Sequence, residues 1–130
     1  MKFGALNMQG LKDLPISLPP PQENSTRHAY HLVMMLIGQN QCGVSRDEFL
    51  DSMNTLRVGT GVHYLSLPEH PYYRERFGWE PEQLPNAIRI GRQIVSLPLS
   101  SKLSYTDVKR VIKGVWDILG ISSDCSCRAP

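Results

Sequence analysis

Apolar residues recur along this chain in two rhythms, and the changes of rhythm mark out its elements. Leu32 to Ile37 is apolar at both parities, as in a strand covered on both faces, so a first strand is predicted over His28 to Ile37. Gly38 to Gly43 has turn composition. Ser45-Arg46-Asp47-Glu48 then fits a capping box, and Phe49, Leu50, Met53 and Leu56 fall on one face of a predicted helix from Ser45 to Arg57. Val58 to Tyr64 reads as a second strand, and the strand–helix–strand order is a crossover unit if the two strands are parallel. A short helix is predicted over Pro68 to Phe77, opened by Pro68 or Pro71 and closed by Gly78. Pro85 opens another helix, where Leu84, Ala87, Ile88, Gly91 and Ile94 recur at helical spacing and Gly91 lets a neighbouring element come close. Val95 to Leu99 is a third strand, stopped by Pro98. Ser104 and Asp107 cap a terminal helix with a stripe of Val108, Val111, Ile112, Val115 and Leu119, ended by Gly120.

The order β-α-β-α-α-β-α predicts an α/β fold, an α+β two-layer sandwich with a small mixed sheet of about three strands and helices mainly on one face. Met1 to Arg27 is the least organised stretch. Leu14 to Leu18 offers a few extended residues, Pro19-Pro20-Pro21 imposes polyproline geometry, and Gln22 to Arg27 reads as a loop. The expected division is therefore a Pro-rich segment over 1–27, one domain over 28–120 and a tail over 121–130, with Ser122 to Pro130 mobile.

Composition narrows the function classes. A chain of 130 residues with 41% hydrophobic and 20% charged residues holds one ordinary core. A net charge of +2 gives no footprint for nucleic acid or a membrane surface, and no apolar run approaches the ~20 residues of a membrane span. The first residues lack the apolar core of a secretory signal, and three cysteines are an odd count, so reduced thiols and a cytoplasmic location are expected. Cys125-Ser126-Cys127 makes no ligand motif with any of the four histidines, and no metal site is assigned.

The candidate chemistry lies in Val58-Gly59-Thr60-Gly61-Val62-His63-Tyr64. Gly59 and Gly61 allow a bend or a close backbone approach, and the strand after them delivers an imidazole and a phenol at one sheet edge. Strand side chains alternate, so one of the pair faces a cleft and the other packs inward. Tyrosine carries more apolar area, which puts Tyr64 inside and leaves His63 open. A histidine there could hydrogen-bond a hydroxyl or a phosphate. His28 and His31 read as structural. Tyr72, Tyr73, Arg74 and Arg76 read as a solvated face of a short helix, although arginine can also grip a phosphate or carboxylate bidentately.

The run RDEFLDSMNTLRVGTGVHYLSLPEHPYYRERFG, with RHAYHLVMMLI before it and IGRQIVSLPLSSKLSYTDVKRVIKGVWDIL after it, resembles the C-terminal small domain of the DegT/DnrJ/StrS-type sugar aminotransferases. These are enzymes of fold type I that depend on pyridoxal phosphate (PLP). Four blocks match in the family's order over roughly His28 to Leu119. The resemblance implies that Thr60, Gly61, His63 and Tyr64 face the cleft for cofactor and nucleotide-sugar substrate. In the family the aldimine lysine, the acidic partner of the pyridinium nitrogen and the phosphate cradle belong to the large domain. Lys2, Lys12, Lys102, Lys109 and Lys113 match no aldimine motif, so this chain alone is expected to bind no cofactor and to be inactive. It departs from the family at Leu65 to His70, where Pro68 takes the place of a histidine.

Two readings follow. One is the C-terminal domain of such an aminotransferase, with a large-domain partner or a homo-oligomer completing it. The other is a stand-alone α/β binding or interaction module descended from that domain. Either leaves an apolar patch where the large domain is missing, expected on helix faces near Trp116 and Ile118.

Overall fold

The computed structural model describes residues 2–120. The predicted tail and the pair Cys125 and Cys127 lie outside the described residues. Two strands, β1 (Val33–Leu36) and β2 (Ile94–Leu97), pair antiparallel with Val33 opposite Leu97 and Leu36 opposite Ile94. Among the described residues six α-helices accompany them: α1 (Lys2–Gly10), α2 (Gln39–Cys42), α3 (Arg46–Thr55), α4 (Pro71–Phe77), α5 (Pro85–Gln93) and α6 (Tyr105–Leu119). The fold is α/β, as the sequence pattern predicts.

The sheet is narrower than that pattern and is antiparallel throughout. Of the predicted second strand only Gly61 pairs, with Ser96 of β2, while Ser17 pairs with Leu36 on the far edge. Gly61 and β1 each run antiparallel to β2 and so run parallel to each other, with β2 between them. The crossover through α3 is therefore real but spans a neighbour. Glycine weakens a strand interior, and two glycines in three residues leave this segment one bridge long. The first strand is also short. Tyr30 takes a positive φ of 48° and its N–H donates to His28 Nδ1 at 2.8 Å, so a local bond replaces a ladder bond.

The first 27 residues are more ordered than their sequence suggests. α1 packs on α6 and β1, and the Tyr30 ring lies directly on the Gly4 backbone where any Cβ would collide. Leu11 and Leu14 beyond it are buried. The signal in the sequence is faint because Phe3, Leu6 and Met8 make a weak stripe broken by glycines. Trp116 is held by this helix: its Nε1–H donates to Gly10 O at 2.8 Å, and Ile118 packs against the core. Of the expected apolar patch, Trp116 thus remains 38% exposed while Ile118 is partly buried.

The capping boxes form as predicted. Ser45 and Glu48 close one at α3, and Ser104 and Asp107 close the other at α6. The core lies between one face of the sheet and helices α1, α3 and α6. Phe49, Met53, Val111, Val115 and Leu119 meet Val33, Met35, Val95 and Leu97 there. Among the described residues no helix is long and apolar enough to cross a membrane.

Candidate functional site

The segment that carries the candidate residues leaves α3 through Arg57, at φ 56°, and the buried Val58. Gly61 N–H donates to Ser96 O at 3.0 Å and Ser96 N–H donates to Gly61 O at 2.8 Å. Gly59 has nothing within 4 Å of a would-be Cβ, so no close approach needs a glycine there. Gly61 is different. A Cβ on it would lie 2.9 Å from Cε1 of His63, because the imidazole folds back over this glycine.

That fold-back reverses the predicted orientation. His63 is half-buried, with Nδ1 shielded from solvent and without a hydrogen-bond partner, and Tyr64 is 76% exposed. The alternation argument fails because the chain leaves the extended register straight after its single bridge. The empty space above Gly61 then seats the smaller ring, and the phenol stays in water. The two rings meet edge to face at 5.1 Å. Thr60, Gly61 and His63 are half-buried beside the open Tyr64, so all four sequence candidates lie in one short segment at the sheet edge.

The loop after Tyr64 is anchored by charges that the sequence reading missed. Gly91 on α5 allows the approach, since a Cβ there would lie 2.7 Å from the Ser66 backbone nitrogen. Glu69 accepts from Arg92 Nε at 2.8 Å and from Ser66 Oγ at 2.9 Å, and Arg46 Nη1 donates to Gly91 O at 3.3 Å. The Arg92 hydrogen bond holds the Glu69 carboxyl below its ordinary range, with the bond from Ser66 and the charges of Arg92 and Arg46 adding to it and burial opposing. Pro68 is buried in the 3-10 turn Leu67–Glu69, where it serves packing.

α4 follows, closed by Gly78 at φ 64°. Arg74 and Arg76 are exposed, as read, with Arg74 3.5 Å from Glu80 and Arg76 over the Phe77 ring. The aromatic residues do more than the sequence reading gave them. Tyr73, Phe77 and Trp79 stack on one another, with centroids 5.4 to 6.0 Å apart. The i, i+4 spacing of Tyr73 and Phe77 was the available signal.

The described lysines do not fit the aldimine role. Lys12, Lys102, Lys109 and Lys113 are all exposed, Lys113 pairs with Asp117, and Lys109 lies over the Tyr105 ring at 4.7 Å. No group of three or more His, Cys, Asp or Glu converges on a metal-sized space among the described residues.

A small antiparallel sheet backed by helices, with a glycine-seated histidine at its edge, defines a small α/β domain. Over residues 2–116 the chain matches, and so belongs to, the DegT/DnrJ/EryC1/StrS aminotransferase family. It is 33% identical over 109 residues to the spore coat polysaccharide biosynthesis protein SpsC of Bacillus subtilis, covering 83% of this chain and 28% of that protein. It is 31% identical over 110 residues to a UDP-4-amino-4-deoxy-L-arabinose–oxoglutarate aminotransferase of Shewanella sediminis, covering 82% of this chain and 28% of that protein. The aminotransferase TlmJ of Streptoalloteichus hindustanus superposes with a TM-score of 0.78 at 26% identity, covering 92% of this chain and 31% of TlmJ. The chain thus spans under a third of the length of these relatives. It corresponds to part of a sugar aminotransferase, and members of the family bind PLP.

Proposed function

We propose that this chain is the C-terminal small domain of a PLP-dependent nucleotide-sugar aminotransferase of the cytoplasm, inactive until a large domain supplies the aldimine lysine. The observation that carries this reading is a mismatch. The chain spans under a third of these aminotransferases, and Lys12, Lys102, Lys109 and Lys113 stand in solvent, whereas PLP takes a lysine for its aldimine and an acidic partner for its pyridinium nitrogen. PLP chemistry needs both groups, and the missing two thirds is where they would come from. In the assembled protein PLP would act as the electron sink, and this domain would close on the substrate.

Within that reading, Thr60, Gly61, His63 and Tyr64 line the substrate side of the domain. The Tyr64 hydroxyl is free to bond a sugar hydroxyl or a phosphate oxygen, and the His63 ring, held over Gly61, supports the phenol from the side. The test has two parts. Incubated with PLP and reduced with borohydride, the chain alone should show only scattered labelling of surface lysines. A stoichiometric adduct at one lysine would overturn the reading. In an active assembly, Tyr64→Phe should raise KM for the nucleotide sugar about five-fold with little change in kcat, the loss of one hydrogen bond of ~1 kcal/mol. An unchanged KM would remove Tyr64 from the site.

A further inference from the structure

The stretch that carries His63 and Tyr64 stands on two feet, and both rest on one continuous piece of backbone. The first foot is Gly61, joined to Ser96 of β2 by a main-chain hydrogen bond in each direction. The second is Ser66, buried against Gly91 of α5. α5 ends at Gln93 and β2 begins at Ile94, so Gly91 and Ser96 belong to a single helix–strand junction with no loop between them. That junction is fastened from two further sides. Ile37 N–H donates to Gln93 O at 2.9 Å, and Arg46 Nη1 donates to Gly91 O at 3.3 Å. Only Val62, His63, Tyr64 and Leu65 span the feet, and Tyr64 and Leu65 are exposed.

The feet are held differently. Main-chain bonds secure Gly61, whereas Ser66 O accepts from Glu69 N–H at 3.0 Å and so bonds forward into its own turn. Burial of Ser66 and Pro68 brings that turn to α5. The Glu69 carboxylate then bridges the two: one oxygen accepts from Ser66 Oγ at 2.9 Å and the other from Arg92 Nε at 2.8 Å. Among the described residues this bridge is the one polar tie between the turn and α5.

The geometry points to Glu69 and Arg92 as positioning residues, whose ion pair clamps the second foot and so fixes the place of Tyr64. This rests on the proposed function, in which the Tyr64 hydroxyl meets the substrate, and it says what holds that hydroxyl ready. Neither residue touches the substrate. A short span tethered at both ends has lost its freedom before a ligand arrives, so binding energy is not spent on ordering it. With the second foot loosened, the span hangs from Gly61 and Tyr64 samples many positions. Most of the Arg92 side chain is in solvent, where an ion pair adds little to global stability, so its effect is read in the loop.

The test is NMR relaxation of the backbone amides in the 130-residue chain. In the wild type, His63, Tyr64 and Leu65 should have order parameters of about 0.85, as rigid backbone does. Glu69→Ala and Arg92→Leu should each lower them toward about 0.6, the range of flexible backbone, while Gly61 and Ser96 keep their wild-type values. Unchanged order parameters beside a lower urea midpoint would make the pair a structural contact and overturn the proposal. So would a span already mobile in the wild type, or a loss of order that extends to Gly61 and Ser96. If only one of the two variants acts, the pair is not the clamp and the assignment falls. In an active assembly, Glu69→Ala should raise KM for the nucleotide sugar but add nothing to the loss caused by Tyr64→Phe. An additive loss overturns the route through Tyr64. The relaxation measurements involve neither substrate nor PLP, so their failure leaves the proposed function standing. That reading fails separately, on a stoichiometric lysine adduct.

Discussion

Two glycines act at the scale of single residues, and for the same reason. At Gly61 and Gly91 a Cβ would lie 2.9 Å from the His63 ring and 2.7 Å from the Ser66 backbone, respectively. The consequences differ because a ring can swing away and a backbone cannot. Gly91→Ala should therefore destabilise the fold by about 1–3 kcal/mol, the usual cost of overpacking. A lowered midpoint in urea at unchanged slope is the expected result, and an unaltered midpoint would mean that α5 and the Ser66 loop separate freely. Gly61→Ala should instead leave stability nearly unchanged and shift the imidazole resonances of His63, seen by NMR.

Glu69 belongs to the same scale. Its folded pKa lies below the unfolded value of about 4.3, chiefly through the Arg92 hydrogen bond. A depressed carboxyl contributes stability that is complete above the unfolded pKa and is lost as pH falls through the folded one. Glu69→Gln should thus be less stable than the wild type at neutral pH. The gap should narrow below about pH 4 as the wild-type carboxyl protonates. Denaturant titrations at several pH values check this, and a gap that stays constant into acid would mean that the Arg92 contact contributes nothing. The Arg92 side chain is mostly in solvent, so the effect is modest.

At the scale of elements, helix ends were the most legible features. Ser-x-x-Glu and Ser-x-x-Asp are local codes in which every partner lies within four residues, and both boxes form. Replacing Ser45 or Ser104 with alanine should cost about 1 kcal/mol each, measured as a lower thermal midpoint. The apolar stripe of α3 is equally local in its code, and its payload is larger. Phe49→Ala, at a fully buried position, should cost about 3–5 kcal/mol and could leave little folded protein.

Strands were harder. The apolar run from Leu32 to Ile37 is a good strand signal, yet ladder length depends on what sits opposite. Val58 to Tyr64 has strand composition, but β2 offers it one bridge, at Ser96. Neighbouring sequence cannot report that, because the partner lies some 35 residues away. α1 was missed for a related reason: its stripe is weak, and its stability comes from α6 and the Tyr30 ring.

Across the whole molecule, the distinction between core and edge sets what can open. Cys42 is fully buried, its Sγ–H donates to Pro15 O at 3.1 Å, and burial pushes its thiol pKa up. Reaction needs the thiolate, so Cys42 should be alkylated at least about a hundred-fold more slowly in the native chain than in denaturant. Mass spectrometry of the Cys42 peptide reads this directly. Rapid native alkylation would show that the segment between β1 and α3 opens on its own.

By itself the sequence determined the family, the capped helices and the short stretch that carries Thr60, Gly61, His63 and Tyr64. Those features are written in neighbouring residues: a hydroxyl three positions before a carboxylate, an apolar stripe at helical spacing, a motif in fixed order. Tertiary structure alone decided which ring of the His63 and Tyr64 pair turns inward. It also decided that Glu69 meets Arg92 across 23 positions and that the Trp116 indole reaches Gly10 across 106. Each depends on packing between distant segments, where the free space over a glycine or the nearness of a second helix outweighs the preference of the residue itself.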